Sequence, residues 1–226
     1  MQRSDSTQKH SFFSDPHSAA LRIWHWLTFL FIAGSMITVL FAATIFSRPE
    51  GPPPAPKTST GQVVAAKPQP FDFSKLDPAT RASFQLEHKV WDAHRLIGFG
   101  VAFLLLSRIV IEITTGKDQR LLGRIRAAVS SGVKDPEAMK EKKHYVLVKR
   151  GYLVFYVLLA VMATSGMIMA FDHAAIFKTI IRPVREIHSV GQYLIYTYVL
   201  AHLLGVIRAD IGKHRGMVSS MIHGAA

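Results

Sequence analysis

Four stretches of the chain are too long and too apolar for the half-buried helices of a soluble domain. From Ile23 to Ser47 there are 25 consecutive uncharged residues, and Gly151–Phe171 is a clean run of 21. The hydrocarbon core of a bilayer takes about 20 helical residues to cross. The pattern therefore predicts membrane-spanning helices near 23–46, 90–113, 151–171 and 188–207. The first run exceeds the apolar core of a signal peptide, about 7–15 residues, and is expected to stay in the protein as an uncleaved span. The second is interrupted by Arg95, Arg108 and Glu112, all near its ends, where long side chains can reach the headgroups. The expected fold is all-α, an integral membrane four-helix bundle over residues 23–208.

The connections read differently from one another. Residues 48–87 open with RPEGPPPAP, which cannot continue a helix, and form the expected outer loop. Near its end, Asp77 before Pro78 has the form of an N-cap and first helical position, so a short helix is expected to lead into the second span. Residues 114–150 carry ten Lys or Arg against four Asp or Glu, which makes them the cytoplasmic loop by the positive-inside rule. Leu121, Leu122, Ile125, Ala128 and Val129 recur there at helical spacing beside Arg120, Arg124 and Arg126. They fit either a short helix lying on the membrane surface or a solvated loop. An N-terminal arm, 1–22, shows no sustained period, and a basic tail, 209–226, follows the last span. Both termini are then expected on the cytoplasmic side.

Charge and composition narrow the chemistry. The formal charge of +12 sits between the apolar runs, where it sets topology and meets anionic lipid headgroups, so nucleic acid is not the expected partner. The chain has no cysteine, which excludes disulfides, thiolate-ligated iron–sulfur clusters and covalent c-type haem. A metal would have to be held by histidine, or less readily by methionine, and Met162, Met167 and Met169 read as packing residues.

Histidines inside the apolar runs are the chemical signal. An imidazole in hydrocarbon is costly unless it is bonded. His188 and His202 are 14 residues apart on one predicted helix, roughly 40° short of four full turns and separated by about 21 Å of axial rise. They share a face at opposite depths. His25 lies at the same end of the bundle as His202, and His94 at the same end as His188. Taken singly, each of the four is better read as an interfacial or hydrogen-bonded bundle residue. Together they make two depth-matched pairs, the arrangement required by two bis-imidazole haems. His88 is six residues before His94, about 120° away around a helix, so both cannot face the same partner. His94 is preferred because Gly98, one turn on, removes a side chain where a flat macrocycle would lie.

Arg22-x-x-His25-Trp26, His94-x-x-x-Gly98 followed by Arg108, and the 14-residue His188–His202 spacing together resemble the bacterial diheme cytochromes b. That family includes the cytochrome b-561 proteins and the b-type subunits of nickel–iron hydrogenases, and the resemblance covers all four spans. It implies two non-covalent b haems, one ligated by His25 and His202 on the inner side and one by His94 and His188 on the outer side, exchanging electrons with quinone. Haem propionates need cationic partners. The candidates are Arg22, Arg108, Lys149 and Arg150 on the inner side and Arg95, Arg182 and Arg185 on the outer side.

The remaining histidines, His10, His17, His144, His173, His214 and His223, are assigned to the surface. The expected function is electron transfer within the membrane, alone or as the membrane subunit of a redox complex with a periplasmic or membrane partner protein. A superoxide oxidase passing electrons to ubiquinone is the alternative that the resemblance implies. Such an enzyme calls for a cationic outer mouth. Residues 48–87 carry five basic against four acidic side chains, and 172–186 three against two, so attraction for superoxide is weak.

Overall fold

The computed structural model describes residues 19–46, 77–117, 120–172, 176, 179–212 and 217–223. Most of the N-terminal arm, the proline-rich part of the outer loop, and His10, His17, His173 and His214 lie outside the described residues, as does the side chain of His223. Six helices and no strand are present among those described: α1 (Ala19–Ile45), α2 (Pro78–Thr114), α3 (Leu121–Ser130), α4 (Pro136–Ala170), α5 (Ile181–Ile211) and α6 (Met217–His223). Four of them, α1, α2, α4 and α5, are long and apolar enough to cross a membrane, as expected.

The helices outrun the spans predicted for them, and capping explains where two of them begin. At about 1.5 Å per residue the 37 residues of α2 reach about 55 Å, well beyond a hydrocarbon core of about 30 Å. α2 starts as expected at Asp77–Pro78: Asp77 Oδ1 accepts from the Thr80 amide at 3.0 Å. Bonding to the Thr80 hydroxyl, together with the amide, holds the Asp77 carboxyl below the usual carboxylate range. α4 repeats the device 15 residues before its predicted start. Asp135 caps it by accepting from the Ala138 amide at 2.9 Å, Pro136 takes the first turn, and Glu137 adds favourable charge there. The sequence Asp135-Pro136-Glu137 carried this signal, and residues 136–150 of the basic loop are consequently helix. α5 also begins earlier than predicted, at Ile181, with Pro183 tolerated in its first turn. α1 begins at Ala19, inside the stretch read as arm.

The choice left open for 121–130 resolves as a helix, α3, stitched at both ends. Arg120 donates to the Thr115 and Ile113 carbonyls at 3.0 and 2.6 Å, closing the C-terminus of α2, while the Leu121 amide donates to Glu112. At the other end Lys142 of α4 donates to the Val129 and Ser131 carbonyls at 2.9 and 2.7 Å, which lays α3 against the basic half of α4.

By proximity the chain forms two compact units, Ile32–Ile97 and the remainder, with the boundaries falling inside α1 and α2. All four long helices contribute to the larger unit as a bundle. Trp24 of α1 donates to the Leu104 carbonyl of α2 at 3.0 Å and meets Tyr156 of α4 edge-on at 6.2 Å. Phe155 of α4 stacks on Tyr198 of α5 at 5.0 Å. Trp26 donates to the Met221 carbonyl at 3.1 Å and ties α6 to the start of α1. Val101, Leu104, Leu105, Leu159 and Ile195 are buried, while Leu96, Phe103, Tyr193 and Leu204 are among many large apolar side chains turned outward. For a soluble protein that surface would be an aggregation hazard, but for these spans it is the face offered to lipid.

Gly100 shows how tightly α1 and α2 meet, because a Cβ added there would overlap the Phe31 ring. Gly100→Ala is expected to destabilise the detergent-solubilised protein by about 1–3 kcal/mol through overpacking. Phe31→Leu should recover part of the loss. Thermal melts of the two single variants and the double variant check this, and additive losses would place the effect elsewhere.

Candidate metal centre

His25 and His202 come together, as the depth argument anticipated. Their ring centroids lie 6.2 Å apart across α1 and α5, with planes at 62°. Metal–imidazole bonds are about 2 Å long, and about 1 Å separates each ring nitrogen from its ring centre, so two imidazoles on one metal stand about 6 Å apart. Each ring plane contains its own bond axis, which leaves the twist between the planes unconstrained. The spacing therefore suits a shared axial metal.

Neighbouring side chains hold both rings. Trp26 meets His25 edge-on at 5.6 Å. Tyr198, one turn before His202, lies parallel to it at 6.5 Å and 7°, and its hydroxyl donates to the Gly151 carbonyl at 3.3 Å. Tyr198 thus joins His202 to α4 as well as α5, a role the sequence reading missed. Its signal was only the i, i+4 spacing to a histidine.

His94 is half-buried, and its Nδ1 lies 2.9 Å from Thr38 Oγ1 and 3.4 Å from Ser35 Oγ, both on α1. Trp91 meets its ring edge-on at 5.6 Å. His88 is exposed. His188, also half-buried, has Nδ1 2.9 Å from Ser165 Oγ on α4, where Ser165 and Gly166 let the helices approach. His94 and His188 belong to different compact units, and each is described within its own.

Two further observations test whether a haem fits. A Cβ built on Gly98 meets nothing within 4 Å, and the same holds at the exposed Gly205, one turn beyond His202, so neither backbone is closed off by a neighbour. Thr28, one turn beyond His25, is 5% exposed, and its hydroxyl has no hydrogen-bond partner among the described residues. A buried hydroxyl without a partner is expensive and points to an acceptor from another molecule. The donor set, the open glycines and this hydroxyl fit a haem.

A family model described as prokaryotic cytochrome b561 matches residues 16–224. The chain belongs to the prokaryotic cytochrome b561 family. No individual curated protein and no solved structure matches it. The cytochrome is a bacterial membrane protein that binds b-type haem and serves in electron transfer.

Several of the cations named as propionate candidates also have partners within the chain. Arg108 is largely buried, pairs with Glu112 at 3.2 Å and donates from Nε to the Tyr156 hydroxyl at 3.1 Å, with its guanidinium 5.7 Å from that ring. Its charge is already matched. Lys149 lies over the Tyr145 and Tyr152 rings at 5.2 and 5.4 Å. Arg95 pairs with Asp92 at 3.4 Å and Arg182 with Glu186 at 3.7 Å, all four side chains being well exposed and able to exchange partners. Within Ile32–Ile97, a cavity of about 260 Å³ is lined by Val39, Ala42, Ala43, Phe46, Glu87 and Trp91.

Thr28→Val keeps the shape and removes the hydroxyl. If the haem group accepts from Thr28, the variant should release haem more readily on dilution in detergent, measured by the decay of the Soret band. If the hydroxyl were a true orphan, its removal should leave release unchanged and raise the melting temperature.

Proposed function

We propose that the cytochrome carries two b haems, His25 with His202 toward the cytoplasmic face and His94 with His188 toward the periplasmic face, and exchanges electrons with membrane quinone. The observation that carries this reading is the 6.2 Å approach of the His25 and His202 rings across two helices. The second pair is supported by the sequence: one helix bearing two histidines about 21 Å apart cannot offer both to a single iron. When bound, haem supplies one-electron redox chemistry at a potential set by its axial ligands and their surroundings. The chain fixes the imidazoles on rigid helices, excludes bulk water through its apolar spans, and holds cations at the helix ends. Arg22, one turn before His25, and Arg95, next to His94 in sequence, are the propionate candidates nearest these histidines on their own helices.

The basic segment 114–150 supports a cytoplasmic α3 and α4 N-terminus, with both chain termini on that side of an inner membrane. A periplasmic or membrane partner protein would then meet the other face.

His25→Ala and His202→Ala are expected to remove one spectral and redox component, and His94→Ala and His188→Ala to remove the other. Pyridine haemochrome assays should fall from two haems per chain to one in each case. Loss of a common component from His25→Ala and His188→Ala would overturn the pairing. Topology is open to a separate check in this cysteine-free chain. Cysteine placed at Ala79 should react with an impermeant maleimide in intact spheroplast-forming cells, whereas cysteine at Ser130 should react only after lysis; the reverse would invert the orientation.

A further inference from the structure

Two hydroxyls inside the apolar helices each touch both a backbone carbonyl and a histidine. Thr38 Oγ1 is 2.7 Å from the Ser35 carbonyl oxygen and 2.9 Å from His94 Nδ1. Ser165 Oγ is 2.6 Å from the Val161 carbonyl oxygen, 3.2 Å from that of Met162, and 2.9 Å from His188 Nδ1. Ser165 is 5% exposed, so water does not compete there.

A hydroxyl has one proton and two lone pairs, and a carbonyl oxygen has no proton to give. Two oxygens at 2.6 or 2.7 Å repel unless a proton lies between them, so each hydroxyl proton is committed to the backbone. What remains for the imidazole is a lone pair, and only an N–H can use it. Nδ1 of His94 and of His188 must therefore carry the ring proton. A neutral imidazole has one N–H, so Nε2 is the nitrogen with the lone pair. Back-bonding of Ser and Thr to a carbonyl one turn earlier is common in helices. It accounts for the first contact of each hydroxyl but not for the second.

We propose that Thr38 and Ser165 are positioning residues that lock His94 and His188 in the Nδ1–H tautomer and so present Nε2 as the metal-binding nitrogen of each. The proposal rests on the assignment of these two histidines as haem ligands. At each histidine the hydroxyl offers the imidazole proton a lone pair, and beside His94 the Ser35 backbone is a second partner. An acceptor on Nδ1–H also makes the ligand nitrogen more basic, which favours the oxidised metal. The two hydroxyls come from different helices, Thr38 from α1 and Ser165 from α4, so each acts independently on its own histidine.

The test uses the haem-loaded protein in detergent. Thr38→Val and Ser165→Ala should each raise the midpoint potential of the component that His94→Ala and His188→Ala remove, and change its low-spin electron paramagnetic resonance spectrum. The component assigned to His25 and His202 should not move. Thr38→Ser and Ser165→Thr should restore the wild-type values. Unchanged potentials and spectra in both deletions would overturn the proposal. If a variant does not accumulate, the His25→Ala protein answers the same question. With histidine labelled by nitrogen-15 only at Nε2, electron–nuclear double resonance should find the label bonded to iron, and strong coupling from Nδ1 instead would overturn it. Retention of both haems by His94→Ala would reject the ligand assignment itself, an outcome separate from any shift at Thr38 or Ser165.

Discussion

A polar ring inside hydrocarbon has to be bonded to something, and much of the bundle answers that requirement. His25, His94, His188 and His202 sit in helices that must satisfy every polar group without bulk water. His25 and His202 are brought to a ring separation of 6.2 Å by α1 and α5. His94 and His188 are each met through Nδ1 by a hydroxyl from a neighbouring helix. Aromatic side chains then fix the ring directions: Trp26 beside His25, Trp91 beside His94 and Tyr198 along His202. The polar cost of each imidazole is thus turned into orientation.

The packing around this requirement follows membrane rather than aqueous rules. Lipid is as apolar as leucine, so helices gain little by hiding leucines from it, and contacts are made by small residues, aromatic pairs and isolated hydrogen bonds. Gly100 under Phe31, Gly191 with Met162 Sδ 2.6 Å from where a Cβ would stand, and Ser165–Gly166 against His188 are of this kind. Charge is managed at the helix ends. Glu112 neutralises Arg108 and also caps α3, so a single carboxylate serves both the end of α2 and the start of the next helix.

Helices that extend past the hydrocarbon give the basic segment a defined form. Asp135 and Pro136 start α4 in the aqueous phase, and Lys142 holds the last carbonyls of α3 against it. Leu122 and Val129 of α3 remain exposed beside Arg124 and Arg126, the composition of a helix that rests at a charged lipid surface.

By itself the sequence determined the fold class, the four spans and the chemical class of the site. Apolar length is a one-dimensional property, and the 14-residue spacing of His188 and His202 places both on one face whatever the neighbours do. The start of α4 was equally legible at Asp135-Pro136-Glu137, a cap of the kind that marked α2 at Asp77-Pro78. The form of 121–130 was not, because its period fitted two states and the deciding groups, Glu112 and Lys142, lie 9 and 13 residues from the atoms they bind. Only the tertiary structure decided which side chains hold the histidines. Thr38, Ser165, Tyr198 and Thr28 look alike in sequence to any polar residue in a span. Their meaning comes from the rotation of one helix against another, which depends on packing over the whole interface and leaves no local signal in the chain.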